Sequence, residues 1–435
     1  MDPVLVGILG IVFLLVLFAL GVPIGFAMGI AGLIGYAYVA SPSAAVRLLA
    51  TDIFGNLNTY AYSALPMFIL MGSLAFAAGL GRRAYDAVYV LMGPVRGGLL
   101  VATALASAIF GAVCGSGAAT NVAIGKSAIP EMRKRGYNLS LALGCVACSG
   151  TLGFMIPPSS TFILYGILTE QSIGKLFIAG ILPGILIAVL FGLTAVAICW
   201  IRPAYGPAAE RTSLKHKLRA VLGLADAAIL FLLVMGGLFA GWFTPTTAGA
   251  IGSAGAIVIG VVRRELSWPR FLESLRESLR LSCMIFMLMI GAMIFGHFIT
   301  RSGLSESLLD WVRASGMSPL GIITFVSALF FVLGCFIDIS PILLLLVPLF
   351  YPLVVESGYD AIWFGVIVTL LCMIGIVTPP VGTNIYVTKG LVGEDVALST
   401  VIKGIGVFLI PMVISLILIV MFPEISLFLP RFLKY

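Results

Sequence analysis

Residues Ser149–Thr161 read SGTLGFMIPPSST, and residues Gly375–Asn384 read GIVTPPVGTN, each inside a long apolar stretch. A proline has no amide proton and its ring crowds the preceding turn, so two in succession stop a helix and free carbonyls from its ladder. The two breaks are related. Gly153, Pro157 and Pro158 find Gly375, Pro379 and Pro380 at an offset of 222 residues. Pro130, Gly136 and Tyr137 find Pro352, Gly358 and Tyr359 at the same offset, which also sets Ser116 against Asp338. Upstream, Gly79, Leu80 and Asp86 are echoed by Gly303, Leu304 and Asp310 after a slip of two. Repeats whose apolar helices are broken by Gly and Pro are the pattern of a secondary transporter with its binding site at the breaks.

Each break is preceded by an apolar region that is a poor single span. Residues 99–128 are interrupted by Cys114-Gly-Ser-Gly-Ala-Ala-Thr120, and residues 319–351 by Gly334-Cys-Phe-Ile-Asp-Ile-Ser-Pro341. Both are expected to be helical hairpins that enter the membrane, turn at mid-depth and leave on the same side. Irregular backbone at that depth survives only where protein or a water-filled site covers it.

Composition sets the solvent. The chain is 61% hydrophobic and 10% charged, with a mean hydropathy of +1.17, so it is solvated by lipid and has no room for a separate water-soluble domain. The first apolar run leads into a second (22–40) without a cleavage site, which argues against a removable signal peptide. A net charge of +7 comes from basic residues in short connectors, not interleaved with base-stacking aromatics; it marks one membrane face and no nucleic-acid partner. The seven cysteines lie in apolar stretches and are expected to be free thiols. Cys145-x-x-Cys148 has no second pair, and only His216 and His297 are available, so neither a redox nor a zinc site is expected.

Spans are expected near 4–20, 22–40, 64–80, 139–169, 175–200, 220–241, 248–262, 281–300, 361–388 and 400–422, about ten beside the two hairpins. Arg82, Arg83 and Arg96, then Arg133-Lys134-Arg135, Arg202 to Arg219 and Arg263-Arg264 mark cytoplasmic connectors if the amino terminus is outside. Five spans separate the loop Glu131–Asn138 from its counterpart at 353–360, which carries Glu356 and Asp360 and no Lys or Arg. Parity and charge both predict inverted repeats. Residues 267–280, with Phe271, Leu272, Leu275 and Leu279 on one face, and residues 304–314 are expected as interfacial amphipathic helices, the first starting near Ser267 or Trp268 ahead of Pro269.

Freed carbonyls plus a hydroxyl suit a small hard cation, and half-helix amino-terminal ends suit a carboxylate. Asp338 is an acid inside an apolar region, a costly placement that is usually functional. It has three roles open to it: steadying a hairpin tip, meeting a cation-bearing half-helix, or lining a substrate path. Asn121 and Asn384 suit either backbone repair or ligand contact.

The runs GSGAAT with AIG, IPEMRKRGY, SGTLGFMIPPS and TPPVGTNIYV resemble the large, DctM-type membrane subunit of a tripartite ATP-independent periplasmic (TRAP) transporter, and the resemblance covers nearly the whole chain. It implies a sodium-driven importer of small organic acids in a bacterial inner membrane, working as an elevator. It also implies a separate small four-helix membrane subunit and a periplasmic substrate-binding protein. Carried over by motif, one Na+ site uses Cys114, Ser116, Gly153, Ile156 and Pro158, and a second uses Gly334, Gly375, Thr378 and Val381. Cys114 and Gly117 stand where that family commonly has serines. The implied substrate position lies near Ser159, Ser160, Thr161, Asp338 and Asn384.

The expected architecture is an all-α polytopic membrane protein forming a single transmembrane unit over 1–435. Residues 79–200 form a first repeat and 301–422 a second, with 1–78 and 201–300 as scaffold. A sodium-coupled carboxylate symporter without a binding protein is the nearest alternative. A membrane hydrolase lacks a second acid near Asp338 or a usable His motif, and a passive channel has little use for two closed oxygen-lined breaks.

Overall fold

The computed structural model describes residues 2–208 and 213–432; residues 209–212, inside the basic connector between Arg202 and Arg219, lie outside the described residues. Among the described residues the regular structure is helical throughout. Seven helices are long and apolar enough to cross a membrane, and the pair Leu139–Met155 and Ser160–Thr169, bent by 41°, makes an eighth. Pro3–Ala19, Ile24–Val39, Gly98–Cys114, Pro319–Gly334 and Ala361–Gly375 are shorter apolar helices. Leu15, Ile34, Leu193, Val258 and Ile410 are exposed on the outer surface, as lipid-facing side chains must be.

Both hairpins form where their sequence breaks. The first runs inward as Gly98–Cys114 and outward as Gly117–Lys134; the second runs inward as Pro319–Gly334 and outward as Ile339–Glu356. The first broken span resumes as Ser160–Thr169, the second, Ala361–Gly375, as Thr383–Gly390. Each resumed half-helix packs against the outward limb of the other hairpin, so the halves of the molecule interlock. Tyr165 Oη donates to the Ala361 carbonyl at 2.6 Å, and Gln171 Nε2 to Tyr351 Oη at 3.0 Å. The second hairpin's loop is thus at the far end of the first broken span. The first hairpin's loop is at the near end, where the Asn138 and Tyr205 backbones bond and Arg133 meets Asp395 at 3.5 Å. The two hairpins therefore approach from opposite faces.

One expectation fails. Residues 267–280 are not a separate interfacial helix; they continue into the next span as one 34-residue helix, Trp268–Arg301, capped at Ser267. No Gly or Pro interrupts residues 270–290, so nothing stops propagation. The buried face also differs from the one expected. Leu279 is exposed, while Ser274, Ser278 and Ser282 are buried, their hydroxyls donating one turn back at 2.9, 2.7 and 2.7 Å. Small serines let this helix come close to Ala64–Ala77, where Ser274 Oγ reaches the Ser73 carbonyl at 3.4 Å. Two helices, Pro42–Asn58 and Leu80–Met92, had no counterpart among the expected elements, whereas Leu304–Ala314 is the expected amphipathic helix.

Packing relies on glycine. Ile24–Val39 lies backbone to backbone along Trp268–Arg301, with Gly25 against Gly291. Gly144, in the first broken span, meets Gly404 of Leu398–Met421 so closely that a methyl group on either would overlap the other helix's backbone. On the basic face, Asp226 is buried between Arg263, bound through both oxygens at 2.8 and 3.0 Å, and Arg83 at 3.1 Å. Three connectors are thereby tied at one point.

Gly404→Val is expected to lower the melting temperature of detergent-purified protein, since forcing a branched side chain into a filled contact costs roughly 1–3 kcal/mol. An unshifted melt would mean these two helices do not touch.

Candidate functional site

The prolines act four residues upstream. Pro157 and Pro158 remove the amides that would bond the Gly153 and Phe154 carbonyls; Pro379 and Pro380 do the same for Gly375 and Ile376. Both Pro–Pro bonds are cis. Some freed oxygens are recaptured locally. Ser159 Oγ donates to the Phe154 carbonyl at 2.5 Å, the Thr378 amide to Gly375 at 2.8 Å and the Asn384 amide to Ile376 at 3.0 Å.

Each break is docked on the tip of the hairpin before it. At the first, Ser160 offers both its amide (3.1 Å) and its hydroxyl (2.9 Å) to the Gly115 carbonyl. A side chain at Gly115 would collide with the Pro158 carbonyl, and one at Gly153 with the Ser116 carbonyl and Thr120 Oγ1. Gly115 also has a φ of 67°, so glycine is required there on two counts. At the second, the Val381 and Gly382 amides both reach the Cys335 carbonyl at 3.1 Å, and Gly334 and Gly375 touch through their backbones. Thr378 Oγ1 donates to the Ile374 carbonyl at 2.6 Å, leaving its oxygen lone pairs free to accept.

The candidate cation set at the second break, Gly334, Gly375, Thr378 and Val381, is therefore brought together. At the first break, Ser116, Gly153 and Pro158 are brought together. The Cys114 carbonyl and thiol lie against Gly72 of Ala64–Ala77, and the Ile156 side chain lies against Gly184. A backbone oxygen at 114 is thus directed at the neighbouring helix.

Four helices, Gly117–Lys134, Ser160–Thr169, Ile339–Glu356 and Thr383–Gly390, begin at tips or breaks. Their amino-terminal ends bring unpaired amides and positive dipole ends to mid-depth. Ser159 caps one of them, accepting from the Phe162 amide at 3.3 Å, and Ser160 and Thr161 form its first turn. Asp338 caps another, accepting from the Ile339 amide at 2.9 Å, with its side chain exposed. Of the three roles open to Asp338, steadying the tip is the one visible in the geometry.

Asn384 is used for structure. It is buried, and its Nδ2 donates to the Ala147 carbonyl at 2.7 Å, linking the second break to the first broken span. Asn121 Nδ2 donates to Thr388 Oγ1 at 2.9 Å in the same contact. Sequence reasoning gave no role to Thr388.

Lys126 was also missed, although its signal was present: it is the only charged residue between Arg96 and Glu131. It lines a cavity of about 790 Å³ bounded by the outward limb of the first hairpin, the helix Leu80–Met92 and the start of Trp268–Arg301. That is the face carrying Arg83 and Arg263.

Residues 11–425 match the family model described as the tripartite ATP-independent periplasmic transporter, DctM component. The C4-dicarboxylate TRAP transporter large permease protein DctM of Pseudomonas aeruginosa is 34% identical, covering 89% of this chain and 90% of that protein. The sialic acid TRAP transporter large permease protein SiaM of Vibrio cholerae is 33% identical over 95% of this chain and 96% of its own. The Alcanivorax borkumensis YdaH transporter shares the fold at a TM-score of 0.63 and 16% identity, covering 99% of this chain and 98% of that one.

Asn384→Ala is expected to destabilise the protein by about 1–3 kcal/mol, the cost of leaving a buried carbonyl unpaired. Thermal melts of the purified variant check this, and wild-type stability would refute the cross-link.

Proposed function

Because the chain belongs to the DctM component family of tripartite ATP-independent periplasmic transporters, we propose that it is a sodium-coupled large permease subunit importing small organic acids across a bacterial inner membrane. The observation carrying this reading is the pair of proline breaks, each docked on a hairpin tip and surrounded by backbone oxygens and hydroxyls. Such oxygens replace the hydration shell of a small hard cation. One Na+ is assigned to Ser116 with the Gly153, Ile156 and Pro158 carbonyls, and a second to Gly334, Gly375, Thr378 and Val381. The acid is assigned to the helix amino-terminal ends between them, near Ser159, Ser160, Thr161 and the Asp338 tip. Asn384 serves there by fixing the second break against the first.

Two relatives support an organic-acid substrate: their names specify a C4-dicarboxylate and sialic acid. Both are carboxylic acids, and no arginine stands at the breaks to select one of them. Selection therefore falls to a periplasmic binding protein that delivers the cargo, and a separate four-helix subunit completes the membrane part. The interlocked hairpins and broken spans form the moving body of an elevator. Trp268–Arg301 with Ile24–Val39 and Ala64–Ala77 forms the fixed wall, and the cavity on the basic face is its opening to the cytoplasm.

In proteoliposomes holding the complete complex, uptake is expected to require a sodium gradient; equal uptake with potassium or choline in place of sodium would remove the coupling. Ser116→Ala and Thr378→Ala are each expected to raise the half-saturating sodium concentration about tenfold, or about 1.4 kcal/mol, without loss of yield. Unchanged sodium dependence in both would refute the site assignments.

A further inference from the structure

The cavity beside the first hairpin carries charge for which neither sodium site accounts. Most of its ionic groups are internally matched: Arg82 with Asp86 at 3.8 Å, Arg135 with Glu131 at 2.7 Å and Arg270 with Glu265 at 3.6 Å. Three are not. Glu273 and Glu277 stand on the wall formed by Trp268–Arg301, and Lys126 stands on the hairpin wall, with no ion pair to any described residue.

Lys126 is nine residues beyond Gly117, where the outward limb begins, which places it roughly 13 Å from the tip at 1.5 Å rise per residue. Its side chain is exposed to the cavity, and its ammonium lies 5.5 Å from the centre of the Phe76 ring. The ring holds the side chain in place but gives its ammonium no acidic partner. Ala123 and Ser127 share its cavity-lining stripe on the limb. Lys126 therefore stands part-way along the limb, between the hairpin tip at Ser116 and the basic end at Lys134. A volume near 790 Å³ is within the range that holds a small organic molecule.

We propose that Lys126 is a substrate-binding residue on the cytoplasmic leg of the path, taking the carboxylate of the organic acid as it leaves the hairpin tip. The two free acids across the cavity set the direction of sorting: they repel the carboxylate and attract the cation, so anion and sodium leave along opposite walls. This inference rests on the organic-acid reading above. Its structural rival is that Lys126 only neutralises Glu273 and Glu277 across the cavity.

The test uses the complete complex in sodium-driven proteoliposomes, with labelled succinate and sialic acid as probes and counterflow read from each face separately. Lys126→Gln is expected to raise the half-saturating acid concentration on the cytoplasmic face about tenfold. Half-saturation from the binding-protein side and the sodium dependence stay unchanged, and Lys126→Arg restores most of the affinity. Wild-type behaviour of Lys126→Gln overturns the proposal, as does an equal effect of Glu277→Gln, which would assign the lysine to charge balance. Failure of the wild-type complex to move, under a sodium gradient, any acid that its binding protein holds defeats the transport reading itself, and this one with it. If Lys126→Gln does not accumulate, the wild-type protein is treated with an amine-acylating reagent from the cytoplasmic face and Lys126 modification is read by mass spectrometry. Protection by the transported acid is expected, and no protection overturns the assignment.

Discussion

A peptide group inside a bilayer has no water to bond, so each amide and carbonyl freed by a broken helix must find a partner in the protein or in what the protein carries. At the two Pro–Pro breaks, freed carbonyls are recaptured locally by Ser159, Thr378 and Asn384, and the amides just beyond the breaks donate to the two hairpin tips. Ser160 bonds Gly115, and Val381 and Gly382 bond Cys335. Neither tip would be stable exposed to lipid, and neither break would be stable without a tip. What remains unbonded is a set of oxygens in a fixed arrangement, on which the proposed ion sites rest. The fold and the chemistry thus share one origin in proline's missing proton.

Close approach makes these contacts possible. Gly334 on Gly375, Gly153 on Ser116 and Gly144 on Gly404 remove side chains at the points where backbones must meet. Polar side chains then fix the alignment: Asn384 on Ala147 and Asn121 on Thr388 join the second break to the first half. With Tyr165 on Ala361 and Gln171 on Tyr351, the halves are fastened to each other at several depths. A body so fastened moves as a whole or not at all, which fits the proposed elevator better than independent flexing of each hairpin.

The breaks, the hairpins and most spans were legible in the sequence because proline, glycine and apolar length act locally, and because the 222-residue offset repeated the signal. Partnership was less legible. Asn384 and Ala147 are 237 positions apart, and no local pattern says that an asparagine amide will mend that carbonyl rather than meet a ligand. Cys114 shows the same limit, since position in a motif does not determine which way a carbonyl points. The helix start at Ser267 was readable from Pro269, but its continuation was not. Charged residues suggested an interfacial segment, yet helix propagation needs only the absence of a breaker. Lys126 was visible as a lone charge and had no meaning until a cavity appeared beside it.

The unbroken run of Trp268–Arg301 sets a geometric condition on the surrounding lipid. Its 34 residues span roughly 51 Å at 1.5 Å per residue, more than the roughly 40–45 Å of a whole bilayer with its headgroups. The rod must lean, or stand clear of the surface at one end, and Ile24–Val39 is glued along it and must follow. Ala64–Ala77 and Ile339–Glu356 are packed on the same rod, so a lean that fits it to the bilayer is shared by the elements around it.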